Sequence, residues 1–314
     1  MAKTIALAIL HKGLARMHNE DNLYLIDTVA PAAHRADYEH AVVNAEDLQI
    51  YAIADGRGGP GIGDEAALTV LRIVDDQKCR QRPGLRLDFP VFAKEIVESG
   101  NRSICQLLVP YEGLPVGTTL SLLAIDRDVA YTLSLGNSRI WLFRDGTLRP
   151  LTKPHDNALP DWERLRRFRG LFGEELSPDE FSMTQTELRR GDVFLLATDG
   201  LSKMVDDDLI GDLLADPSAF IQQIRNLRTQ ALHRGGCDNL ALIGIRIQEP
   251  LAVAAPLPGG KRRHRNVGGA DVGSANRFRR FLEPLFFFLF FVLLGVLLGK
   301  IVFSLPVWLK ILLR

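Results

Sequence analysis

The chain has 314 residues, 46% hydrophobic and 24% charged, an ordinary balance for a folded protein of one large or two modest domains. Its 38 basic and 38 acidic residues cancel, so net charge gives no support to nucleic-acid binding. Three cysteines, Cys79, Cys105 and Cys237, are odd in number and far apart, which argues against a disulfide framework or a zinc knuckle and fits reduced thiols.

The apolar run at 5–10 is too short for a signal peptide and lacks a small-residue cleavage site, so it reads as a first strand. The segment Gly13-Leu14-Ala15-Arg16-Met17-His18-Asn19-Glu20-Asp21 follows. Its arginine suits a phosphate through paired hydrogen bonds, and its two acids can reach a metal directly or through water. Strands are predicted at 23–26 and 49–54, the second leading into Ala54-Asp55-Gly56. Helical spacing of apolar residues marks 66–76 and 92–108. Further strands are predicted at 119–125, 129–135 and 140–143, and Arg144-Asp145-Gly146-Thr147 reads as a hairpin turn into 148–151. The run at 193–197 leads into a second acidic glycine turn, Thr198-Asp199-Gly200. A helix at 218–232 and a strand at 240–247 complete the folded part, with Asp238 where a turn enters that last strand.

Sequential strands with tight turns favour α+β architecture with antiparallel sheets. An isolated Asp-Gly is usually a plain turn. A carboxylate at the end of a buried strand, however, is held by the sheet while its oxygens stay outside the core, and hard divalent metals bind such groups. Asp55, Asp199 and Asp238 all have that placement.

Past Glu249 the composition turns to Pro, Ala, Gly and basic residues, including Lys261, Arg262, Arg263, His264 and Arg265, and offers too little apolar surface for a core. Residues 249–280 are therefore expected to be a flexible linker. No charge interrupts 285–299, and the segment 281–309 is long and apolar enough to span a membrane, with Lys300 near enough to its end to snorkel. Basic residues crowd its N-terminal side, against Lys300, Lys310 and Arg314 beyond. That asymmetry predicts a single-pass, C-terminally anchored protein whose domain at 1–248 is cytoplasmic, followed by a short tail at 310–314. The basic linker is also suited to anionic lipid headgroups.

Five blocks in order, Gly13-x-x-Arg16-x-x-Asn19-Glu20-Asp21, Ala54-Asp55-Gly56-x-Gly58-Gly59, Gly117-Thr118-Thr119, Leu196-Ala197-Thr198-Asp199-Gly200-Leu201 and Asp238-Asn239, resemble the metal-dependent protein serine/threonine phosphatases of the protein phosphatase 2C type. The resemblance covers nearly all of residues 5–247. It implies a sandwich of two antiparallel sheets flanked by helices, with two Mn²⁺ or Mg²⁺ ions at one end. By the same resemblance Asp55 bridges both ions, Asp199 and Asp238 hold one, Glu20 or Asp21 with the Gly56 carbonyl holds the other, and Arg16 grips the substrate phosphate. The implied reaction is in-line hydrolysis of phosphoserine or phosphothreonine in proteins, opposing an unidentified kinase, by water made acidic by two ions.

Three departures stand out. Asn137 in Gly136-Asn137-Ser138-Arg139 replaces an aspartate that the family associates with a third, weaker metal, so two ions rather than three are expected. Arg57 stands where many eukaryotic members carry a general-acid histidine, which leaves protonation of the leaving group to water. Residues 60–64 also differ from the usual segment after the paired glycines. These changes keep open a second reading, a pseudophosphatase that binds phosphoproteins at the membrane without turnover. The stretch 152–188, with Arg164, Arg166, Arg167 and Arg169, reads either as a solvated helical face or as a docking surface for acidic partners. His155 reads as structural.

Overall fold

The computed structural model describes residues 1–31, 37–59, 61–108, 117–152 and 181–250. In chain order the strands begin with β1 (Lys3–His11), β2 (Asp21–Leu25), β3 (Thr28–Val29), β4 (Asp37–Asn44) and β5 (Leu48–Arg57). Two helices follow, α1 (Gly63–Cys79) and α2 (Phe89–Leu108), then β6 (Gly117–Thr118), β7 (Leu120–Asp126), β8 (Val129–Leu135), β9 (Arg139–Arg144), β10 (Thr147–Pro150) and β11 (Ser182–Glu187). The described chain ends with β12 (Val193–Ala197), α3 (Asp199–Ser202), α4 (Asp207–Ala215), α5 (Phe220–His233) and β13 (Leu240–Glu249).

The strands form two sheets. One runs β10-β9-β12-β13-β1-β4 and the other β11-β8-β7-β5-β2-β3, with β6 paired to β5, and these strand pairs are antiparallel. Period-two alternation sorts the side chains into layers. From β1, Ala6, Ala8 and Leu10 enter the core between the sheets, whereas Leu7 and Ile9 face outward to a second core shared with Ile210 and Leu214 of α4 and Ile224 and Leu227 of α5. On the other sheet, Tyr51 and Ile53 of β5 point between the sheets, while Ile50, Ala52 and Ala54 pack with Val70 and Leu71 of α1 and Phe92 of α2. Strands buried on both faces must be apolar at successive positions, which is why β5, β7, β12 and β13 read as continuous apolar runs.

The expected sandwich and its flanking helices are therefore present. The β9–β10 hairpin forms as predicted: Asp145 and Gly146 both have positive φ, 53° and 76°, as a tight two-residue turn requires. Six elements were not expected from the sequence: the short β3, β6 and α3, and the longer β4, β11 and α4. β4 and β11 are edge strands whose side chains are largely exposed or half-buried, so neither shows the apolar run of a central strand. The nine-residue α4 is started by Asp206, whose carboxylate accepts from the Leu209 backbone N–H at 2.9 Å.

Among the described residues no helix is long and apolar enough to cross a membrane. The last strand runs through Glu249, the first residue of the expected linker at 249–280. The rest of that linker from residue 251, the expected span at 281–309, the tail at 310–314, His155 and the four arginines at 164–169 lie outside the described residues.

Candidate metal centre

Strand register brings the first two acids together. β2 pairs with β5 so that Asp21 lies directly opposite Asp55, and opposed residues of an antiparallel pair project to the same face. Asp21 is buried, and its Oδ2 accepts from the Thr198 hydroxyl at 2.8 Å. Asp55 keeps a window to solvent. Its backbone is clamped: its N–H donates to Thr119 Oγ1 at 3.1 Å, and its carbonyl accepts from Thr119 N–H at 2.9 Å and from the Thr118 hydroxyl at 3.0 Å. Thr118 and Thr119 thus fix the central acid.

The sequence predicts that the chain turns out of a strand at Gly56. The strand instead continues through Gly56 to Arg57, pairing with β6. Glycine is needed for close approach: a Cβ there would lie 2.0 Å from the Gly63 carbonyl oxygen and 2.7 Å from that of Glu20.

The other two acids meet where α3 starts. Asp199 is the first residue of α3, and Gly200 packs against the strand entry so tightly that a Cβ would sit 1.8 Å from the Asn239 carbonyl oxygen. Asn239 ties in the first block as well. Its Oδ1 accepts from Glu20 N–H at 3.0 Å, and its amide donates to the carbonyls of Lys12 and His18, both at 2.8 Å.

Arg16, Glu20 and Asp238 are all part of this region, but with engagements the sequence does not show. Arg16 Nη2 lies 2.9 Å from Asp238 Oδ1. Glu20 Oε2 accepts from Gly59 N–H at 3.1 Å, which ties this acid to the glycine loop while Asp21 faces Asp55. Asn137 donates to Asp199 Oδ2 at 2.7 Å. Lys203, which sequence reasoning missed, places its ammonium 2.8 Å from Asp199 Oδ2 and 2.8 Å from Asp238 Oδ2. The four-residue spacing of Asp199 and Lys203 signals that pair in a helix; nothing in the sequence signals the contact with Asp238.

The electrostatics divide the acids into two groups. Burial, then the charges of Asp199 and Asp238, push Asp55 up to about 8, with Lys203 and Arg57 pulling the other way. Burial and the Asp55 charge raise Asp21 well above the usual carboxylate range. Burial works the same way on Asp238, but Lys203 and Arg16 overcome it and leave that acid lowered. Burial also opposes the charge on Lys203, and the bonds to Asp199 and Asp238 outweigh it and raise its pKa. The Asp21–Asp55 pair is thus the under-neutralised half of the cluster, which is where a cation relieves the cost of opposed, desolvated carboxylates. All-oxygen donors of this kind fit a hard divalent ion. Among the described residues no three acids converge on a single point at ligand distance, Asp199 and Asp238 both being in contact with Lys203.

A family model described as Protein phosphatase 2C matches residues 31–236, well over half of the chain. The chain belongs to the protein phosphatase 2C family. The matched span contains Asp55, Gly56 and Asp199; Arg16, Glu20 and Asp21 lie before it and Asp238 just after it, and the fold draws them to the same end of the sandwich. Serine/threonine protein phosphatase PstP of Mycobacterium tuberculosis is 29% identical over 252 residues, covering 74% of this chain and 43% of PstP, so the match spans under half of that relative's length. Protein phosphatase PhpP of Streptococcus pneumoniae is 27% identical over 249 residues, covering 72% of this chain and 96% of PhpP. The solved catalytic domain of PstP in complex with two manganese ions superimposes with a TM-score of 0.59 at 25% identity, over 79% of this chain and 100% of that one. The protein phosphatase 2C fold of this family member, two antiparallel sheets flanked by helices, agrees with the expectation from its five sequence blocks.

Proposed function

We propose that the chain hydrolyses phosphoserine and phosphothreonine in proteins, using two divalent ions, Mn²⁺ or Mg²⁺, held by Asp21, Asp55, Gly56, Asp199 and Asp238. The observation that carries this reading is the gathering of four aspartates, from β2, β5, α3 and the entry to β13, at one end of the sandwich, two of them, Asp21 and Asp55, raised by burial and by the charges of neighbouring acids. The two manganese ions of the PstP catalytic domain support the ion count. Divalent ions held there supply Lewis acidity toward water and toward phosphoryl oxygens. The protein's own part is to fix the ligands before substrate arrives, through the Thr118 and Thr119 clamp on Asp55 and the Thr198 hydroxyl on Asp21. Asp21 takes the place beside Asp55 through strand register, and Glu20, which accepts from Gly59 with one oxygen, stays available to an ion with the Gly56 carbonyl. Arg16, with its side chain 55% exposed, presents guanidinium donors that suit a phosphate. Arg57 cannot serve as general acid, since a guanidinium stays charged at any working pH, so water protonates the leaving group.

Residues 1–248 form the catalytic domain in this reading. The linker at 249–280 lies on the cytoplasmic face against anionic headgroups, and 281–309 spans the membrane, followed by the tail at 310–314. Alkaline extraction and protease protection of membranes carrying the full chain test that placement: release into the soluble fraction contradicts the anchor.

A second reading, phosphoprotein binding without turnover, is favoured by one observation: Asn137 and Lys203 already engage Asp199. Hydrolysis of an aryl phosphate by the full chain separates the two. The first reading requires Mn²⁺-dependent turnover that chelation and Asp55→Asn both remove, and phosphopeptide binding without turnover supports the second. Activity that persists under both treatments overturns the metal mechanism.

A further inference from the structure

We infer that Lys203 is a built-in cation of this centre, holding Asp199 and Asp238 together and competing with a divalent ion for them, so that the two ions bind with unequal affinity. This rests on the two-ion reading above. The ammonium lies at 2.8 Å from an oxygen of each acid, and it is a compact point charge with three donors and no acceptor. Its position is set by backbone: Lys203 follows α3, its N–H bonds to the Asp199 carbonyl at 2.9 Å, and α3 itself is seated against Asn239 through Gly200.

Other groups engage Asp199 Oδ2 and the second oxygen of Asp238 as well. Asp199 Oδ2 receives Asn137 at 2.7 Å in addition to Lys203. Asp238 Oδ1 receives Arg16 at 2.9 Å and the Asn239 N–H at 3.0 Å. A divalent ion ligated by Asp199 and Asp238 must therefore displace an ammonium that bridges them. The Lys203 side chain is 47% exposed, so its flexible stem has a way out to solvent when that happens. On the other side, among the described residues, Asp21 accepts from a hydroxyl and forms no ion pair with a lysine. An ion there meets no such competitor.

Calorimetric titration of metal-free full chain with Mn²⁺ tests this. Wild type is expected to bind one ion tightly and a second about tenfold or more weakly, and Lys203→Ala is expected to tighten the second by about tenfold while leaving the first unchanged, the scale of two partly exposed ion pairs. Lys203→Gln, which keeps most of the stem, guards against a folding defect and is expected to show the same gain. Without metal, both variants are expected to melt lower than wild type, with a larger Mn²⁺-induced rise. Two ions of unchanged affinity in wild type and both variants overturn the competition while sparing the two-ion reading; no Mn²⁺ binding in any of them overturns both.

Discussion

Replacing Asp55 with Asn is expected to stabilise the metal-free chain while ending hydrolysis. Burial and the neighbouring acids lift this carboxyl from 3.8 to about 8. An acid whose folded pKa is raised contributes stability that is fully present below its unfolded value and is lost as pH rises through the folded one. The metal-free fold is therefore penalised progressively between pH 4 and pH 8. At pH 7 about three of the roughly four units are felt, at 1.36 kcal/mol each, or about 4 kcal/mol. Asp55 keeps some solvent access, and screening reduces this to about 2 kcal/mol. Asn removes the charge at nearly constant shape, so the melting temperature in chelator at pH 7 is expected to rise by about 4–8 °C for a domain of this size. Thermal unfolding followed by circular dichroism measures it. The difference shrinks at pH 5, and Mn²⁺ raises the wild type more than the variant because the ion binds the folded state. A variant that melts with or below wild type at pH 7 in chelator refutes the account of an under-neutralised Asp21–Asp55 pair.

Other consequences follow from particular contacts. Asp192 is buried and takes two hydrogen bonds from Arg144, at 2.7 and 2.6 Å, so Asp192→Ala strands a partly buried guanidinium and is expected to cost about 3–5 kcal/mol in denaturant unfolding, with turnover per folded molecule unchanged. Gly200→Ala places a Cβ 1.8 Å from the Asn239 carbonyl oxygen, and overpacking of about 1–3 kcal/mol together with loss of Mn²⁺ affinity is expected, since Asp199 and Asp238 are parted. His11 accepts from the Gly13 N–H through Nδ1 at 2.9 Å, and burial lowers its pKa below 6.5. Its contribution is present above pH 6.5 and lost as pH falls through the folded value, so the acid-side drop in melting temperature is expected to be smaller in His11→Gln.

The interior of the fold was legible because it is doubly buried. β5, β12 and β13 have helices on one side and the opposite sheet on the other, and their sequences could be read as strands without knowing either neighbour. β4 and β11 could not. Edge strands alternate weakly and owe their place to partners: β11 pairs residue by residue with β8, and Thr184 meets Thr132 hydroxyl to hydroxyl at 2.7 Å. The acids of the centre were each visible as carboxylates beside apolar runs. What the sequence does not show is which acid stands opposite Asp55; the β2–β5 register places Asp21 there. Lys203 was missed because its second partner, Asp238, lies 35 residues away along the chain and comes close only through the packing of α3 on the entry to β13.

In the proposed function the aspartate cluster works by holding divalent ions for hydrolysis of a protein-bound phosphate. Phosphate release from a phosphothreonine peptide by the full chain, followed as free Mn²⁺ is raised from chelator conditions, tests it most directly. Release that is absent in chelator, rises to saturation with Mn²⁺ and stays flat in Asp55→Asn is the predicted result; release that is independent of Mn²⁺, or that survives in Asp55→Asn, contradicts it.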